Sequence, residues 1–144
     1  MTATILIVDN DPEMLAVLRR HFESEGYVVT GVSGGREALA ALAGASFDVV
    51  LTDLVMDEVD GLTLVRETQA RDPAQRVVLM TAFATLETAI EAIRAGAYDY
   101  LTKPFKLGEA SIAVSRALDD RRLREENRKL RAQIERRFSV DNIL

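Results

Sequence analysis

The 144-residue chain has no cysteine, no tryptophan, one histidine and three prolines. Without cysteine there is no disulfide framework, no thiolate metal site and no sulfur nucleophile. A single histidine excludes a His-rich metal centre. No apolar run approaches the roughly 18 residues of a membrane span. Met1-Thr2-Ala3-Thr4 has neither the basic start nor the apolar stretch of a secretory signal, so a cytoplasmic protein is expected. The net charge of −5 is small and acidic, which argues against generic binding to nucleic-acid phosphates. What is present is 48% apolar and 28% charged residues, the composition of one soluble domain with a core.

The charge is unevenly divided. Residues 1–106 carry nine basic and sixteen acidic side chains, whereas 107–144 carry nine basic and seven acidic. Along the first part, five short runs rich in branched apolar residues read as strands. They are Ile5–Val8, Tyr27–Val29, Val49–Leu51, Val77–Met80 and Tyr98–Leu101. Between them lie segments with helical spacing: Leu15, Leu18 and Phe22; Ala38, Leu39 and Leu42; Leu62, Val65 and Thr68; Leu86, Ala89, Ile90 and Ile93. Strand and helix alternate five times in about 110 residues, which predicts an α/β fold with a doubly wound parallel sheet and helices on both faces. Such a sheet places its site at the carboxyl ends of the strands.

Those ends carry a distinctive set of side chains. Asp9, Asn10 and Asp11 follow the first strand, Asp53 the third, Thr81 the fourth and Lys103-Pro104 the fifth. Acids beside one lysine and one hydroxyl make a hard-oxygen site suited to Mg²⁺ or Mn²⁺ and to a phosphoryl group. An aspartate held there can act as the nucleophile, with metal and lysine neutralising the transferred oxygens. The plainer reading of each acid alone is a helix N-cap, and Lys-Pro is an ordinary turn. That plainer reading does not require Asp, Asp, Thr and Lys at four separate strand ends.

The segments ILIVDND, VVLTDLVMDEVDGL, VVLMTAFA and AGAYDYLTKPF closely resemble, in order and spacing, the receiver domain of two-component response regulators over residues 4 to about 118. The resemblance implies a flavodoxin-like five-stranded sheet of order 2-1-3-4-5. It implies Asp53 as phospho-acceptor, Lys103 as partner of the phosphoryl oxygens, Thr81 as switch hydroxyl and Tyr100 as switch aromatic. The alternative for Tyr100 is a packed strand residue. The metal would take Asp9, the position of Asn10, Asp53 and the backbone carbonyl of Val55, with Asp11 as a possible substitute ligand. It also implies a candidate cis bond at Lys103-Pro104 and a sensor histidine kinase as partner. Two positions depart from the pattern. Asn10 stands where an acid is usual, so weakened Mg²⁺ binding is expected. Met56 is followed by Asp57 where proline is common. In the family the positions two after the phospho-acceptor and two after the switch hydroxyl flank the approach of an attacking water. Here they are Val55 and Phe83, whose apolar side chains cannot orient it, so the resemblance implies slow self-dephosphorylation and no other enzymatic activity.

From about residue 107 the pattern is one long helix to roughly Phe138. Leu123, Asn127, Leu130 and Ile134 step as d, a, d, a of a coiled coil. Asp119 and Glu126 then fall at g, Arg124 and Arg131 at e, a favourable arrangement for a parallel homodimer. The alternative is a helix whose apolar stripe packs on its own domain. Direct nucleic-acid binding by this helix is not expected. RRLREENRKLRAQIERRFSVDNIL resembles the linker of nitrogen-regulatory type activators, which implies AAA+ and DNA-binding portions acting with sigma-54 polymerase. The expected division is a receiver over 1–118, a coiled linker over 119–138 and the truncated start of a further segment over 139–144. Two other functions compete: a pseudo-receiver acting only as an interaction module, and an aspartyl-phosphate hydrolase of the haloacid-dehalogenase type. The latter needs an acid two residues after its nucleophile, where this chain has Val55. His21 reads as a solvated residue of the first helix.

Overall fold

The computed structural model describes residues 2–56, 59–82 and 85–143, with side chains through Arg136. Five strands, β1 (Thr4–Val8), β2 (Val28–Val32), β3 (Val49–Asp53), β4 (Arg76–Thr81) and β5 (Asp99–Thr102), alternate with α1 (Pro12–Ser24), α2 (Gly35–Gly44), α3 (Gly61–Arg71), α4 (Leu86–Ala95) and α5 (Leu107–Ile143). All strand pairs are parallel, in the order β2-β1-β3-β4-β5. The fold class inferred from sequence is therefore the observed one.

The central strands are unbroken apolar runs because both sheet faces are covered. Ile5, Ile7, Val49, Leu51, Val78 and Met80 face α1 and α5, packing on Leu18, Phe22, Ala113 and Val114. Leu6, Val8, Val50, Val77 and Leu79 face the other way, toward Ala38, Leu64, Val65 and Ala92 of α2–α4. Local chemistry sets the helix ends. The Asp11 side chain accepts from the Glu13 amide ahead of Pro12, Asp60 accepts from the Thr63 amide, and Thr85 and Thr88 form a reciprocal capping box. Gly96 closes α4 with φ +107°, a backbone that side-chain-bearing residues rarely adopt.

Three local expectations need correcting. β2 runs on through Gly31 and Val32, because parallel pairing with Ile7 and Val8 extends it beyond its obvious apolar run. In α4 the helical spacing is right, but only Ala92 is buried; Leu86 and Ile93 are 78% and 64% exposed. The helix turns its small residues inward, so its larger apolar ones face out. His21 is not a solvated residue: its Nε2 lies 2.6 Å from Ser111 Oγ of α5, and its ring stacks edge-on against Phe22.

Candidate functional site

The sheet register assembles the site. Val8 pairs with Thr52, Asp53 with Met80 and Thr81 with Thr102, so the carboxyl ends of β1, β3, β4 and β5 lie side by side. Asp9 is fully buried and Asp53 and Thr81 nearly so. Lys103 Nζ donates to Asp9 Oδ2 at 3.1 Å and to Asp53 Oδ2 at 3.3 Å, bringing both carboxylates onto one ammonium. The other Asp9 oxygen accepts from the Asp11 amide at 2.9 Å. Two backbone bonds tie the ends together: the Leu54 amide donates to the Met80 carbonyl at 2.8 Å and the Lys103 amide to the Thr81 carbonyl at 2.7 Å. The Lys103-Pro104 peptide is cis, as the resemblance implied.

Burial, only partly offset by the attraction of Lys103, pushes the Asp53 carboxyl above its ordinary value, and the neighbouring Asp9 charge adds to the rise. For Lys103 burial acts in the opposite sense, but the hydrogen bond to Asp9 and the charges of Asp53 and Asp9 prevail and hold its ammonium above the ordinary value. The result is a carboxylate that is poorly solvated yet faced by a fixed positive charge.

The remaining residues singled out from sequence take different places. Asn10 is exposed at the crevice rim, and Asp11 is exposed with its carboxylate committed to the α1 cap. Val55 is 56% exposed, beside Asp53. Tyr100 is half-buried on the α2–α4 side of the sheet, which is the packed strand position left open above. Phe83 and Asp57 lie outside the described residues. Leu123, Leu130 and Ile134 are 60%, 54% and 51% exposed and Asn127 is exposed, so the four do not pack on their own domain.

Sequence reasoning passed over Gly61. A β-carbon there would stand 2.5 Å from the Asp53 carbonyl oxygen and 2.8 Å from Leu54 Cα, while its amide donates to the Leu54 carbonyl at 2.9 Å. Only glycine lets α3 start this close beneath Asp53. Its signal was present in the Asp60-Gly61 pair, a cap followed by a residue without side chain.

Among the described residues no three of His, Cys, Asp and Glu are grouped as a metal site. The chemistry of the nearby residues nonetheless suits a hard divalent cation: the Asp9 and Asp53 carboxylates meet on Lys103, and Asn10 and Val55, close to them in the chain, offer oxygen donors. Also among the described residues, no helix is long and apolar enough to cross a membrane.

A buried aspartate pair sharing a lysine at the switch point of a 2-1-3-4-5 sheet is the arrangement of a phosphorylation-controlled signalling module. The chain belongs to the response regulator receiver domain family, whose model matches residues 5–115. It is 38% identical over 140 residues to the regulatory protein AtoC of Escherichia coli K12, covering 97% of this chain and 30% of that protein. To the DNA-binding transcriptional regulator NtrC of Salmonella typhimurium it is 40% identical over 114 residues, covering 79% of this chain and 24% of that one. The chain thus spans less than a third of the length of these curated relatives. Among solved structures it is similar to NtrX from Brucella abortus, with TM-score 0.84 at 32% identity over 91% of this chain and 30% of that one. A receiver domain protein from Clostridium thermocellum matches with TM-score 0.80 at 32% identity, over 84% and 98% of the two chains. Receiver domains are signalling modules rather than classical enzymes; phosphorylation-based switching is their general role. They generally bind Mg²⁺ at the acidic pocket, and those of such regulators interact with sensor histidine kinases.

Proposed function

We propose that Asp53 accepts a phosphoryl group from a sensor histidine kinase and that the resulting change is passed to the linker helix. The observation that supports this most is the convergence of the Asp9 and Asp53 carboxylates on Lys103 Nζ at the strand ends. In the transfer an ionised Asp53 oxygen attacks the phosphorus of a phosphohistidine. The phosphorus–nitrogen bond breaks, and the imidazole leaves with its electron pair and takes up a proton. Lys103 favours the ionised form of Asp53 beforehand, against its burial, and pairs with the phosphoryl oxygens afterwards. The added charge draws the Thr81 hydroxyl inward, and Tyr100 moves into the space released.

Asp9, Asp53, the Asn10 carboxamide oxygen and the Val55 carbonyl are the groups that would hold Mg²⁺, or Mn²⁺, with Asp11 retained as helix cap. The ion supplies neutralisation of charge on the transferred oxygens when bound. Asn10 brings one negative charge fewer than an acid, so Asn10→Asp is expected to tighten Mg²⁺ binding by about tenfold, since charge count tunes such sites. Equal affinity of the two proteins in a titration would refute that role. Val55 offers no polar group to an attacking water, which supports slow self-dephosphorylation; Val55→Asn should shorten the phosphoryl lifetime.

The exposed seam of Leu123, Asn127, Leu130 and Ile134 supports a parallel homodimer through the linker helix, with the receiver surface contributing, because two heptads alone are marginal. The resemblance of the linker supports a cytoplasmic activator whose output runs through an AAA+ ATPase and sigma-54 polymerase. Asn10 also favours a second reading, a pseudo-receiver that works as an interaction module without phosphorylation. Intact-mass measurement after incubation with a small-molecule phosphoryl donor and Mg²⁺ separates the two. The first reading expects the mass of one phosphoryl group on the wild type and none on Asp53→Asn. No gain on either protein, with donor and ion in excess, favours the pseudo-receiver.

A further inference from the structure

β3 and β4 carry Asp53 and Thr81 at their carboxyl ends. At their amino ends they carry charges that the phosphoryl chemistry does not use. Arg76, the first residue of β4, has a side chain only 8% exposed, and its Nε donates to Asp120 Oδ2 of α5 at 2.6 Å. Arg76 Nη1 also donates to the Pro73 carbonyl at 3.3 Å, and Asp120 takes a second bond from Arg124 Nε at 3.2 Å. The next residue along α5, Arg121, is 11% exposed and forks three ways. Its Nη1 reaches Asp72 Oδ2 at 3.4 Å, its Nε lies 3.9 Å from Asp48 Oδ1, and its Nη2 lies 3.5 Å from Glu125 Oε1. Asp48 directly precedes β3, and its carboxylate accepts from the Thr4 amide and hydroxyl of β1 at 2.8 and 3.2 Å. Asp72 caps the carboxyl end of α3.

Asp120 and Arg121 therefore grip the amino ends of β1, β3 and β4 and the end of α3, just past Leu118, the last residue of α5 in the core. From Glu126 to Arg136 every described side chain is exposed. These are not isolated surface pairs. Two arginines are mostly buried, each spreads its fork over more than one acceptor, and two of the acceptors, Asp48 and Asp72, are themselves held by the backbone amides of Thr4 and Ala74. A helix held only by its core residues up to Leu118 is free to bend at the domain edge, whereas one held also by Asp120 and Arg121 on two sides is restrained there.

We propose that Asp48, Asp72, Arg76, Asp120 and Arg121 form an ionic joint that makes residues 119–125 of α5 part of the rigid receiver body. The joint fixes the rotational phase at which the seam beginning at Leu123 leaves that body. Leu123 lies two residues beyond Arg121, so the direction of the seam is set by the joint and not by a free linker. Where two linkers pair, the joint then fixes how the two receivers face each other; this consequence rests on the pairing reading above, while the joint itself is a property of one chain.

The absence of cysteine makes a direct test simple. Glu67→Cys on α3 and Gln133→Cys on α5, both at exposed positions, carry spin labels whose separation is measured in chains diluted into unlabelled protein. The wild type is expected to give one narrow distance distribution, and adding Asp120→Asn with Arg121→Gln to broaden it. Arg128→Gln, at an exposed position outside the joint, should leave it narrow. Hydrogen exchange in the same proteins should show the wild-type amides of 119–125 protected. In the double variant those amides should exchange several-fold faster, the modest change such ion pairs make, while β3 and β4 stay protected. Exchange of 119–125 no faster in the double variant than in the wild type overturns the joint, as does an unbroadened distance in a double variant whose sheet is intact. Sedimentation of the wild type is the separate check: a monomer with an intact joint removes the pairing reading and leaves the joint standing.

Discussion

The receiver body and the helix that leaves it dispose of their apolar residues in opposite ways. In the body Ile7, Leu51 and Met80 are fully buried between two layers of helices. In the linker Leu123, Leu130 and Ile134 are more than half exposed on a helix that runs alone. The body's stability is internal to one chain; no described residue covers the linker's apolar stripe. The two regions should therefore respond differently to the same kind of substitution, and the boundary between them should be a place of charge rather than of packing.

The largest expected effect is in the body. Leu51→Ala should cost about 2–5 kcal/mol in urea unfolding, the transfer and cavity cost of a buried leucine. Leu130→Ala should change unfolding of the single chain by no more than roughly 0.5 kcal/mol, and instead weaken self-association measured by sedimentation. Similar losses of stability from both substitutions would erase the contrast. Next in size is Gly61→Ala, where an added β-carbon would press on the Asp53 carbonyl and Leu54 Cα. About 1–3 kcal/mol of overpacking is expected there, together with slower phosphorylation of Asp53, since the backbone that aims it must shift.

The smallest effect lies at the boundary. Tyr27 stacks edge-on against Phe22 and is close enough to Asp119 and Arg122 of α5 to feel their charges. Burial, helped by Glu25, raises its phenol above the ordinary value of 10.0. The folded state therefore holds this proton when the unfolded chain has begun to lose it. The contribution to stability is complete below the ordinary phenol range and is lost as pH rises through the raised value. Tyr27→Phe should slightly flatten the fall in melting temperature on the alkaline side. An unchanged alkaline slope would remove Tyr27 from the boundary's electrostatics.

The parts of this fold visible in sequence are those in which neighbouring residues carry the signal. Central strands buried on both faces read as apolar runs, and strand ends followed by Asp9, Asp53, Thr81 and Lys103 read as a site because parallel topology brings such ends together. The convergence of Asp9 and Asp53 on Lys103 follows from that topology. What was hidden depends on long-range choice. Periodicity placed α4 but not its inward face, since Ala92 rather than Leu86 or Ile93 meets the sheet. His21 looked solvated because Ser111, its partner, is far along the chain. The joint was equally hidden: Arg76 and Asp120 are 44 residues apart, and neither is unusual where it stands in the sequence. The need for Gly61 arises from a backbone contact with Asp53 and Leu54; the Asp60-Gly61 pair marks a helix start but not that contact.

The central claim is that chemistry at one end of the sheet alters association through a helix anchored at the other. Sedimentation velocity of the wild type and Asp53→Asn, before and after beryllium fluoride with Mg²⁺ as the phosphoryl analogue, tests it most directly. A change in association state of the wild type that Asp53→Asn does not share is the predicted result. No change in either protein, or the same change in both, would contradict it.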